Sequence, residues 1–226
     1  MKKNIILLIL LHLTIWEYQC YAKGRYKLIS QFSAGGYGPI LEAKDYDNDG
    51  YVEIKLGEAY WEKNSDKKPD KYKIKIFHWS KNHYEVIKSY IVNKSNEKPS
   101  YYGKNAINYI EIDDNLKKFV PTGFLIQGIE KFNLDLDKEK ETIFICGFLE
   151  NSEFKLFSSF YLFILKQNNE SYQTVFVDKV PGSRYGLMEE KDINKDGFPE
   201  LLIWTIDPGG SGYTINLMIY AFEKEV

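Results

Sequence analysis

The chain has 226 residues, a formal net charge of −2 and 44 % hydrophobic residues, enough for one well-cored domain. That near-neutral balance leaves no electrostatic footprint for nucleic acid. Aromatic residues reach 16 %, with 18 Tyr, which favours strands and a surface that binds something.

Residues 1–22 read as a signal peptide. Lys2 and Lys3 form the charged start, Ile5 to Leu13 the apolar centre, and Cys20-Tyr21-Ala22 places small residues for cleavage after Ala22. The apolar run is too short to span a bilayer. The expected product is secreted or periplasmic, with residues 23–226 as a single repeat domain. A lipid anchor on Cys20 is the alternative, and Glu17-Tyr18-Gln19 ahead of it lacks the small and apolar residues that signal wants. After cleavage Cys146 stands alone in Ile143-Phe144-Ile145-Cys146 and reads as a buried core thiol.

Arg25 to Ser30 alternates weakly, as a lone strand, and Gln31 to Gly38 is glycine-rich. Next comes Asp45-Tyr46-Asp47-Asn48-Asp49-Gly50-Tyr51-Val52-Glu53. Strand patterns follow at Val52–Tyr60, Tyr72–Trp79 and Tyr84–Tyr90, with a polar linker over Glu62–Lys71. Residues 91–130 are hardest to read; Ile107–Ile112 alternates as a strand, and Val120-Pro121-Thr122-Gly123 turns into Phe124–Gln127. Further strands are expected at Ile143–Cys146, Phe160–Leu165, Leu201–Trp204 and Ile215–Phe222.

The acidic stretch returns as Asp192-Ile193-Asn194-Lys195-Asp196-Gly197-Phe198-Pro199-Glu200. Oxygen-bearing side chains fill positions 1, 3, 5 and 9 in both copies, with glycine at position 6. That alternation lets a short loop wrap a hard cation, the backbone carbonyl of position 7 closing the cage. The expected Ca2+ ligands are Asp45, Asp47, Asp49, Tyr51 and Glu53 in one copy. In the other they are Asp192, Asn194, Asp196, Phe198 and Glu200, with Tyr51 and Phe198 ligating through their carbonyls. A weaker third copy runs Asn133, Asp135, Asp137, Glu139, Glu141, with Lys138 at the glycine position. A left-handed lysine there would cost about a kcal/mol or more, so this loop is expected to be weak for metal. The loops are not EF-hands, since position 12 is Leu56 or Ile203 rather than glutamate.

The wider unit repeats as well. Tyr37-Gly38 precedes the first loop and Tyr185-Gly186 the second, while Tyr72–Trp79 and Tyr213–Tyr220 follow them. A calcium loop that enters a strand through a position 9 glutamate resembles the FG-GAP and VCBS repeats of integrin-α-type β-propellers. The resemblance implies an all-β fold, a small β-propeller or propeller-like array of antiparallel blades; a β-sandwich bearing the same loops is the alternative. The loops start at residues 45, 133 and 192; the spacing of 59 suits one four-stranded blade, and the spacing of 88 leaves room for a blade plus an eroded or shortened one. The last blade lacks its outermost strand, and the strand near Tyr26–Ser30 is placed to supply it. The implied function is a non-catalytic calcium-binding module whose partner is a protein or glycan. More narrowly, the chain is similar to small periplasmic calcium-loop propellers that serve as immunity proteins against peptidoglycan hydrolases. His78 and His83 fit no catalytic spacing, and His78 reads as a strand residue rather than a ligand or base. Trp61 and Tyr213, near the loop tips, are the expected partner-binding aromatics.

Overall fold

The computed structural model describes residues 26–60, 69–100, 110, 112–151, 156–168, 171–209 and 212–223. The chain is all-β, with three four-stranded antiparallel sheets, none closed into a barrel. The described residues divide into two compact units, one within 28–100 and 182–221, the other within 110–181 with 26–27 and 222–223.

The first unit holds two sheets. One takes β2 (Ile40–Lys44), β3 (Glu53–Tyr60), β4 (Lys71–Ser80) and β5 (His83–Asn93) in chain order. The other is ordered β1 (Tyr26–Gly36), β12 (Gly212–Phe222), β11 (Glu200–Gly209) and β10 (Arg184–Lys191). The N-terminal strand therefore completes the last sheet, as the sequence suggested. It is longer than expected and runs on to Gly36, because Phe32 and Ala34 keep the alternation and drop into the core. Leu201 to Ile206 and Ile215 to Tyr220 are buried without a break, so β11 and β12 are covered on both faces. One face carries Leu202, Trp204, Ile215, Leu217 and Ile219 into a cluster with Leu41, Val52, Ile54 and Ile193. Ser100 ties the edges of this packing: its hydroxyl accepts from the Leu41 N–H at 3.0 Å and its carbonyl accepts from the Tyr213 hydroxyl at 2.9 Å.

The second unit is one sheet of β6 (Phe124–Phe132), β7 (Glu141–Asn151), β8 (Leu156–Asn168) and β9 (Ser171–Val180) in chain order. Phe144, Cys146, Tyr161, Phe163 and Leu165 share one face, Phe144 stacked on Phe163 at 4.8 Å. Cys146 is the core thiol expected, and burial raises its pKa. The strand expected over Ile107–Ile112 is not formed by Ile110 and Ile112, and the remaining positions of that stretch lie outside the described residues, apart from these two. Ile110 and Ile112 instead pack on the sheet beside a single helical turn, α1 (Asp114–Lys117). Asp113 caps that turn, its carboxylate accepting from the Leu116 N–H at 2.9 Å, and Leu116 fills the core. No helix among the described residues is long and apolar enough to cross a membrane.

Trp204 is the largest side chain that the core of the first unit encloses. Trp204→Ala should cost about 3–5 kcal/mol. Urea unfolding followed by circular dichroism should show the lower midpoint with an unchanged slope.

Candidate metal centre

Each sheet carries one acidic loop, and always at the same turn. Asp45–Glu53 joins β2 to β3, Asn133–Glu141 joins β6 to β7, and Asp192–Glu200 joins β10 to β11. The first and second loops share one backbone course, and the third follows it at position 4 but not at position 6. Position 4 is left-handed in all of them: Asn48 at φ 61°, Leu136 at 59°, Lys195 at 58°. Gly50 and Gly197 at position 6 both sit at φ 88°, a value that favours glycine. The third loop departs from its expectation here. Lys138 is not among the residues with positive φ, so the strain foreseen for it is absent. The reason is a different closure. In the other loops the position 6 N–H donates to the position 1 carboxylate, Gly50 to Asp45 at 2.9 Å and Gly197 to Asp192 at 3.1 Å. In the third, the Asn133 amide donates to the Asp137 carbonyl at 3.0 Å.

The carboxylates also brace the loops from inside. Position 5 accepts from the position 7 N–H at 2.8 Å three times over, in Tyr51 to Asp49, Glu139 to Asp137 and Phe198 to Asp196. The position 9 glutamate is buried in every copy: Glu53 and Glu200 are 1 % exposed and Glu141 is 0 %. Its Oε2 accepts from the position 2 N–H, from Tyr46 at 2.8 Å, Leu134 at 2.9 Å and Ile193 at 2.9 Å. Its Oε1 faces a nitrogen, and that nitrogen differs from loop to loop.

In the first loop the nitrogen is His78 Nδ1, 2.9 Å from Glu53 Oε1. Carboxylate oxygens of Asp45, Asp47 and Glu53 lie within 4.8 Å of one another, and so do ligand atoms of Asp49, Glu53 and His78. Asp45 Oδ1 is buried without a hydrogen-bond partner, as an oxygen awaiting a cation would be. This loop can hold a metal ion. His78 is in strand β4 as read from the sequence, yet its ring belongs to the site.

In the second loop the nitrogen is Asn194 Nδ2, which donates to Glu200 Oε1 at 2.9 Å and to Asp196 Oδ2 at 3.3 Å. An amide thus replaces one carboxylate of the first loop. Asn194 must turn its oxygen inward before this loop can wrap a cation. In the third loop the nitrogen is Lys166 Nζ, 3.6 Å from Glu141 Oε1, 2.5 Å from Asp135 and also paired with Asp137. Oxygens of Asp135, Asp137 and Glu141 gather within 4.8 Å around it. The hydrogen bond from Lys166 holds the Asp137 carboxyl below its usual range.

The first and second loops touch. Val52 N–H donates to the Ile193 carbonyl at 3.2 Å, and the Lys195 ammonium donates to the Asp49 carbonyl and lies 4.6 Å from the Tyr51 ring. Tyr84 reaches both: its hydroxyl donates to the Val52 carbonyl at 3.2 Å, and burial, with Glu200 and Glu53 nearby, raises its pKa. Tyr213 is half-buried and packs on the core, while Trp61 lies outside the described residues. The chain matches no protein-family model and no curated protein.

Burial pushes the Glu200 carboxyl up to about 7, from an ordinary 4.5, with Asp196 and Asp192 adding to the shift. In metal-free protein the folded state then binds a proton that the unfolded state has lost, so stability falls as pH rises from about 4.5 to 7. Urea unfolding in EDTA should show a loss of up to about 3 kcal/mol between those limits, flattened by Glu200→Gln.

Proposed function

We propose that this chain is a secreted or periplasmic calcium-binding repeat module that binds a protein or glycan partner without catalysis. The observation that carries this reading is the first loop, where Asp45, Asp47 and Glu53 bring oxygens within 4.8 Å beside an unpaired Asp45 Oδ1. Calcium suits these donors: it takes many oxygen ligands at flexible geometry, whereas magnesium demands a near-ideal octahedron and keeps its waters. The second loop, with Asn194 turned, is the other calcium site.

In this reading the three sheets are propeller-like blades. Each has its calcium loop between the first and second strands, and β1 closes the last blade beside β12. Calcium is a structural staple in such loops. Caged by protein oxygens, it fixes strand connections and leaves no open position to activate water. The charged, apolar and small-residue order of residues 1–22 supports export to a compartment where calcium is abundant. Trp61 is the aromatic expected to anchor the partner. Tyr213, expected near a loop tip, instead sits beside the Gly209–Gly212 turn, at the end of β11 and β12 away from the Asp192–Glu200 loop, with its hydroxyl bonded to Ser100.

Extracellular calcium modules bind at about 10⁻⁴–10⁻³ M. At roughly 1 mM calcium each site then adds about 0.4–1.4 kcal/mol. Two sites should raise the melting temperature by about 2–10 °C. Asp47→Ala and Asn194→Ala should each remove part of that rise, and a wild-type protein whose melting ignores calcium would end the calcium reading. Trp61→Ala should weaken capture of the partner from periplasmic extract and keep the calcium-dependent rise. Turnover of peptidoglycan or another glycan by the purified protein would end the non-catalytic reading.

A further inference from the structure

Strand register puts a different residue opposite the buried glutamate in each sheet. Ile54 pairs with Phe77, so Glu53 comes opposite His78. Thr142 pairs with Leu165, so Glu141 comes opposite Lys166. Leu201 pairs with Tyr220, so Glu200 comes opposite Ala221. This cross-strand position is the one from which a side chain can enter the loop beside it. Histidine and lysine both use it, and alanine has nothing to reach with.

The lysine reaches furthest. Its side chain is 12 % exposed, and its ammonium lies at 2.5 Å from Asp135, against Asp137, and at 3.6 Å from Glu141. Glu141 Oε1 is buried, has no hydrogen-bond partner among the described residues, and faces that ammonium. These are the position 3, 5 and 9 oxygens, three of the four side-chain oxygens that would wrap an ion. Burial pulls the lysine pKa down, but its bonds to Asp135 and Asp137 outweigh this and hold it above the ordinary value.

We infer that Lys166 is a tethered cation that takes the metal's place in the third loop. The loop keeps the left-handed position 4, the inward carboxylates and the buried glutamate of the other two loops, and it supplies its own positive charge from β8. The second unit thereby holds its loop closed at any calcium level, while the loops of the first unit depend on the ion. One ammonium cannot satisfy as many oxygens as calcium, which takes 6–8. The lysine nevertheless excludes the ion, because a metal entering the same oxygens would meet a fixed positive charge at contact distance. The inference rests on the calcium reading of the first loop for its meaning, though its own test stands apart.

The test counts calcium bound per chain, by equilibrium dialysis with the ion alone, on the full secreted chain. Lys166→Ala opens the third loop and should hold one calcium more than the wild type. An equal count in folded Lys166→Ala protein would overturn the inference. Asp137→Ala covers the case in which that variant does not fold, since Asp137 lies on the surface side of the loop. It should leave the wild-type count unchanged, and a count lower by one would show that the third loop binds calcium and overturn the inference. Failure of the calcium reading itself looks different: Asp47→Ala would then leave the count unchanged.

Discussion

Three glutamates at the start of a central strand are buried almost completely, and the loops around them follow from that burial. A buried carboxylate is costly unless it is paired and hydrogen-bonded. Here Oε2 is satisfied locally by the position 2 N–H, which fixes how the chain leaves the preceding strand. Oε1 must find a positive or donating group inside the loop. His78, Asn194 and Lys166 are three answers to the same demand. The variety among them is what makes the first loop a good metal candidate and the third a closed one.

The same burial couples chemistry to packing in the first unit. Val52 precedes Glu53 and Ile193 donates its N–H to Glu200; both enter one core cluster, and the Val52 N–H bonds the Ile193 carbonyl. Lys195 crosses from the second loop to the first, where its side chain lies against Gly50. Gly50 is held by its left-handed φ, since the lysine end beside it can move aside.

Much of this was readable in the chain itself. Alternating oxygens with glycine at position 6 gave the loops, and the apolar runs after each glutamate gave β3, β7 and β11. The N-terminal strand was placed correctly beside β12, although Gly35 and Gly36 hid its true length. Strands β2, β9 and β10 went unread for physical reasons, β2 because it is only five residues long. Polar residues interleave Ser171–Val180, and a bulge between Tyr185 and Leu187 breaks the alternation of β10. The closure of the third loop was misjudged because a side-chain amide replaced the bond that glycine makes elsewhere. Lys166 and His78 could not be assigned from the loops at all. Each lies 25 residues beyond its glutamate, and only strand register brings it across.

The central claim is that a cation, supplied by solvent in one loop and by lysine in another, compensates the buried glutamate. Anomalous scattering from crystals grown with calcium measures this directly. The account predicts a peak among Asp45, Asp47 and Glu53, and no peak among Asp135, Asp137 and Glu141. A bare first loop at saturating calcium, or an ion in the third loop with Lys166 displaced, would contradict it.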